Sequence, residues 1–73
     1  MQPRILPHLV KRLRRLREAA NLTQEQFAEQ AGLSYKYYQH IEAGRRQDLR
    51  LSTLERLADA HRISVAQLLR PGR

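Results

Sequence analysis

Residues 35, 36, 39 and 40 are Tyr, Lys, Gln and His, and a helix opening after Ser34 turns all four to one side. This is neither an apolar stripe nor the Glu/Lys mixture of a plainly solvated face. Phenol, ammonium, amide and imidazole groups together donate and accept hydrogen bonds. Such a set suits a flat polar surface that has to be read. The major groove of B-DNA admits an α-helix, and its base edges carry donor and acceptor patterns that distinguish all four base pairs. Gln39 thus joins Tyr35, Lys36 and His40 as a candidate base contact. The base sought by His40 stays open, since neutral imidazole donates from one nitrogen and accepts at the other.

Other chemistries find less support. The chain has no cysteine, so it has no thiol nucleophile, disulfide framework or Cys-based zinc site. Its serines fall at helix starts rather than in a nucleophile elbow, and its carboxylates form no pair. His8, His40 and His61 share neither a motif nor helix-turn spacing, which argues against a metal site and makes His8 and His61 surface residues. No enzymatic activity, cofactor or small-molecule effector is expected.

Charge agrees with a polyanionic partner. Fourteen Lys and Arg face seven Asp and Glu in 73 residues, a net charge of +7 and a pI near 11.1. Double-stranded DNA fits first and an anionic membrane surface second. With no apolar run approaching 18 residues and no signal-peptide pattern, the expectation is a soluble, cytoplasmic chain. A single small domain buries only about 60% of the surface its unfolded chain exposes, so the core should be thin.

The elements that must carry the four side chains follow from periodicity and capping. Residues 1–8 read as an N-terminal arm, with two prolines in "MQPRILP", and residues 71–73 as a tail. Between them, residues 9–70 form the domain. Leu9, Leu13, Leu16 and Ala20 draw one stripe down a first helix, which Asn21 ends. Thr23 with Gln26, Ser52 with Glu55 and Ser64 with Gln67 fit the capping box, and Leu22/Phe27, Leu33/Tyr38 and Ile63/Leu68 fit the hydrophobic staple. These signals predict helices starting just after residues 23, 34, 52 and 64. Gly32 and Gly44 end the second and third helices. The fourth helix should bury Leu54, Leu57 and Ala58 with Leu51 just ahead of it, and the fifth Val65, Leu68 and Leu69. The fold expected is all-α: a compact five-helix bundle without strands.

Gly32-Leu33-Ser34 is a very short joint between the second and third helices. It predicts a helix-turn-helix unit over about residues 24–43. Ala28 and Ala31 let the two axes approach. Phe27, Leu33, Tyr38 and Ile41 then converge on the core, which leaves Tyr35, Lys36, Gln39 and His40 outside.

Residues 9–69 resemble the phage-repressor/Cro-type (XRE-like) helix-turn-helix proteins, through "LTQEQFAEQAGLS", "IEAG" and "LSTLERLADAHRISVAQLL". The resemblance implies a lambda-repressor-like DNA-binding domain whose third helix enters the major groove. It implies base contacts from Tyr35, Lys36 and His40 and a phosphate contact from Gln24. It also implies an ion pair between Arg17 and Glu42, and backbone contacts from Arg45, Arg46 and Arg50. Two departures stand out. The stretch "RRQDLRL" lacks the proline of many relatives and is one residue longer, and Tyr38 replaces a common Val or Ile. Tyr38 belongs to the core by spacing. At Tyr37, a phosphate contact competes with simple solvation.

The function expected is a sequence-specific transcriptional regulator acting as a homodimer, with Val65 and Leu69 in the dimer interface. One alternative keeps the fold as an antitoxin-type protein-interaction module, although no toxin-wrapping tail follows the last helix. Another, a basic amphipathic membrane binder, conflicts with capped helices that share a core.

Overall fold

The first helix starts before its apolar stripe does. The computed structural model describes residues 5–70, and α1 spans Ile5–Ala19. Of the expected arm, residues 1–4 lie outside the described residues, as does the tail 71–73, whereas residues 5–8 form the first turn of α1. Pro7 is compatible with that turn: backbone N–H groups there have no intrahelical acceptor, so the missing donor costs nothing. Leu9 and Leu13 are buried and Leu16 half-buried. Ala20, expected on the same stripe, is exposed because α1 has already ended. Asn21 takes the left-handed conformation at φ 58°, and the Leu22 N–H closes on the Arg17 carbonyl at 3.1 Å.

Capping chemistry then sets α2 (Gln24–Ala31), α3 (Tyr35–Glu42) and α5 (Val65–Leu69). Thr23 and Ser64 each form both halves of a capping box, and the Ser34 hydroxyl accepts from the Tyr37 N–H. Gly32 ends α2 at φ 73°, a conformation costly for residues with a Cβ.

α4 departs from expectation. It spans Leu51–Ala60, with Arg50 at the N-cap and no side-chain cap bond, so Ser52 lies inside the first turn. The reason is register. Leu49 packs against the core, and Thr53, Leu57 and Ala58 are its buried successors. That face leaves Leu51 on the outside, 66% exposed, and Leu54 half-buried.

These five helices are the elements among the described residues, with no strand. α2 packs on α3 and α4, α1 on α3 and α5, and α4 on α5. Phe27 is central. Tyr38 meets it edge-on at a centroid distance of 5.0 Å, and His61 stacks on it at 4.3 Å and 13°.

His61 is therefore not the surface residue expected from sequence. It closes α4 as its C-cap, and its Nε2 is buried without a hydrogen-bond partner, as is Nε of Arg12. Burial, reinforced by the Arg12 charge, lowers the imidazole pKa from its usual value. A group with a lowered folded pKa binds protons more readily when unfolded, so acid favours unfolding. The stability held by neutral His61 should be complete above the unfolded pKa of about 6.5 and decline as pH falls through it. Urea midpoints should thus drop between about pH 7.5 and 5.5. A His61→Phe variant, which keeps the stack but cannot titrate, should show a smaller drop over the same window.

Candidate nucleic-acid interface

The outer face of α3 is positioned from behind by one buried acid. Glu42, 2% exposed, ends α3 and accepts from three helices. Arg17 of α1 forms a two-pronged pair, Nε to Oε2 at 2.8 Å and Nη2 to Oε1 at 3.1 Å. Gln24, the first residue of α2, donates from Nε2 to Oε1 at 3.0 Å. The Tyr38 hydroxyl, one turn back on α3, donates to Oε2. Arg14 adds a bond from Nη2 to the Glu42 backbone carbonyl at 3.3 Å. Arg17 reaches the Leu22 carbonyl as well, at 2.8 Å, so it also pins the joint between α1 and α2.

A buried carboxylate is costly unless its oxygens are satisfied. Burial by itself would raise the Glu42 pKa, but the hydrogen bonds from Arg17, Tyr38 and Gln24 outweigh it and leave the group below its ordinary value. Its partners respond in turn. The bond to Glu42 raises Arg17 against the effect of burial. Burial first, and the bond to Glu42 second, push the Tyr38 phenol far above its ordinary range. Tyr38 therefore stays a donor at any working pH.

The opposite side of α3 is open. Tyr35 is 43% exposed, Lys36 is exposed, and Gln39 and His40 are half-buried. Gln24, Gln39, His40, Ala43 and Arg45 line a shallow polar groove between the start of α2 and the outer face of α3. The structure gathers these residues around one concavity. Gln24 is more constrained than its expected phosphate contact implied, since one amide N–H points inward to Glu42. A second N–H on the same nitrogen remains for the groove.

The chain leaves α3 through Ala43 and Gly44 at φ 75°, and the Arg45 N–H closes on the His40 carbonyl at 2.9 Å. Arg45 and Arg46 consequently follow immediately after the end of α3, and both are exposed. The Arg46 guanidinium lies 5.1 Å from the centroid of Tyr37, a half-buried ring that gives it a platform. Tyr37, Arg46, Asp48, Leu49, Arg50 and Thr53 line a second concavity, so Arg50 is next to this pair.

Val65 and Leu69 lie elsewhere, half-buried on α5 at the edge of the core. Among the described residues, the large aliphatic side chains most open to solvent are instead Leu51 and Ile5, at 66% and 59%. Among the described residues, no three His, Asp or Glu side chains cluster as metal ligands would, and no helix is long and apolar enough to cross a membrane.

Sequence reasoning missed the contacts of Tyr38 and Gln24 with Glu42 and that of Tyr37 with Arg46. The spacing of Tyr38 and Glu42, four apart on one helix, was a readable signal for the hydroxyl's partner. The Tyr37–Arg46 contact spans a helix end and had no such signal.

The fold has known counterparts. A helix-turn-helix domain family model matches residues 8–70. A crystal structure of NHTF, a hypothetical transcription factor from Neisseria, is 31% identical, with a TM-score of 0.85 over 93% of this chain and 77% of that one. The clp gene regulator ClgR from Corynebacterium glutamicum is 28% identical, with a TM-score of 0.78 over 94% and 72%. No curated protein matches the chain. The chain belongs to the helix-turn-helix domain family, a class of DNA-binding transcriptional regulators.

Proposed function

We propose that this protein is a non-catalytic transcriptional regulator that reads a specific DNA sequence through α3 and works as a homodimer in the cytoplasm. The observation that carries the reading is the division of α3. Its inner side is fixed to α1 and α2 through Glu42, and its outer side presents Tyr35, Lys36, Gln39 and His40. In this reading those four face base edges, while Gln24, Tyr37, Arg45, Arg46 and Arg50 face the phosphates. The described transcription factors with the same fold support it. Selection of bound sequences from a random duplex library tests class and stoichiometry together. Enrichment of a two-fold symmetric motif is expected, with half-sites about 10–10.5 base pairs apart; recovery of unenriched sequence would refute specific reading.

Base and phosphate roles separate by mutation. Lys36→Ala and His40→Ala should each cost about 1–3 kcal/mol on the preferred site and relax preference at one position per half-site. Arg46→Ala should weaken all duplexes alike and lower the slope of affinity against salt. Equal losses on specific and random DNA for Lys36→Ala would reduce that lysine to a bare charge.

Two half-sites require two copies. Val65 and Leu69 are the proposed contact, since α5 leaves both partly uncovered while Leu68 is buried. In analytical ultracentrifugation, Leu69→Glu should shift dimer toward monomer with the helical circular dichroism intact. A wild type that stays monomeric at micromolar concentration would remove the dimer.

A further inference from the structure

We propose that Tyr38 and Glu42 are positioning residues for DNA binding, acting through the Gln24 amide at the polar groove. The proposal rests on the DNA-binding reading above. Its basis is a chain of contacts running from the core to the groove. Phe27 packs edge-on against Tyr38, the Tyr38 hydroxyl donates to Glu42 Oε2, and Glu42 Oε1 accepts from Gln24 Nε2 at 3.0 Å. Arg17 holds the same carboxylate in a two-pronged grip and fixes its plane.

The chemistry of the amide gives this chain a direction. An ionised carboxylate only accepts, so it selects the nitrogen end of the Gln24 amide and turns that end toward α3. The nitrogen's second N–H is then left beside Gln39, His40 and Arg45 in the groove, a setting of donors suited to a phosphate oxygen. A glutamine at the open end of a helix would otherwise sample several rotamers and both amide orientations, and binding would have to freeze them. The Tyr38 hydroxyl completes the set on Oε2. An aliphatic residue at position 38 would fill the core but leave that oxygen one donor short.

The test is a double-mutant cycle on the duplex recovered by selection, read as Kd with folding checked by circular dichroism. Tyr38→Phe keeps the ring against Phe27 and removes the hydroxyl. It should weaken binding by about three- to tenfold. Gln24→Ala should weaken it comparably, and the double variant should bind no more weakly than Gln24→Ala alone. A tyrosine that served stability only would lower the melting temperature and leave the Kd of the folded protein unchanged. If Tyr38→Phe fails to fold, Glu42→Gln takes its place in the cycle. Losses that add, or a Tyr38→Phe protein that binds as wild type does, overturn the positioning role and leave DNA binding standing. A wild type with no salt-sensitive affinity for any duplex overturns the DNA-binding reading, and the positioning role falls with it.

Discussion

Affinity for the selected duplex should fall by about a thousandfold or more when salt is raised from about 50 to 200 mM. The cations at the proposed interface set the size of this effect. Arg45 and Arg46 are exposed just beyond the end of α3, Arg50 is exposed at the N-cap of α4, and Lys36 lies on the outer face of α3. Each lysine or arginine that neutralises a phosphate releases condensed counterions, and the logarithm of affinity falls with that of salt at about 0.9 per phosphate. Three arginines in each of two protomers reach the range of about 6–10 contacts for which the thousandfold loss is expected. The net charge of +7 adds long-range attraction, which salt screens as well. Fluorescence anisotropy across a salt series gives the slope directly. An affinity flat in salt would sink the DNA-binding reading.

Tyr38→Ala should destabilise the domain by about 3–5 kcal/mol, the cost of truncating a fully buried aromatic. Tyr38 is 0% exposed and meets Phe27 edge-on, so its removal leaves a cavity in the core. It also withdraws a donor from a buried carboxylate, which places the cost toward the upper end. At about 0.05–0.15 kcal/mol per residue, a domain of this length holds roughly 4–11 kcal/mol in all. The variant should therefore unfold far below the wild type in urea, or lack a cooperative transition. A variant with an unchanged midpoint that no longer binds DNA would show that Tyr38 belongs to the interface instead.

Much of the fold was legible because its signals are local. Thr23 with Gln26 and Ser64 with Gln67 satisfy backbone donors within three residues, so the starts of α2 and α5 follow from neighbours alone. The start of α4 was not legible. Ser52 and Glu55 imitate a box, but the burial of Leu49 and Thr53 sets the register, and burial is a tertiary quantity. Arg62 is a similar case. It takes φ 58° to turn the chain between α4 and α5, with no glycine or asparagine to announce it. His61 looked like a surface histidine because nothing nearby in sequence reveals the Phe27 ring beneath it. At the candidate site, the composition of the outer α3 face was open to sequence reasoning. The inward tether of Gln24 was not, since it joins residues 18 apart in the chain.

The separation of α3 into a bonded side and a free side bears on how such a protein changes its target over generations. Among the described residues, no side-chain hydrogen bond involves Tyr35, Lys36, Gln39 or His40, whereas Glu42 and Tyr38 hold the helix in place. Substitutions at the four outer positions therefore leave those tethers intact, and under the proposed function mutational drift can alter what the helix reads with little risk to folding. Duplicated copies of such a chain could diverge in target at those positions while keeping one scaffold. For the same reason, a library randomised at 35, 36, 39 and 40 would place its diversity on a surface whose support does not depend on it.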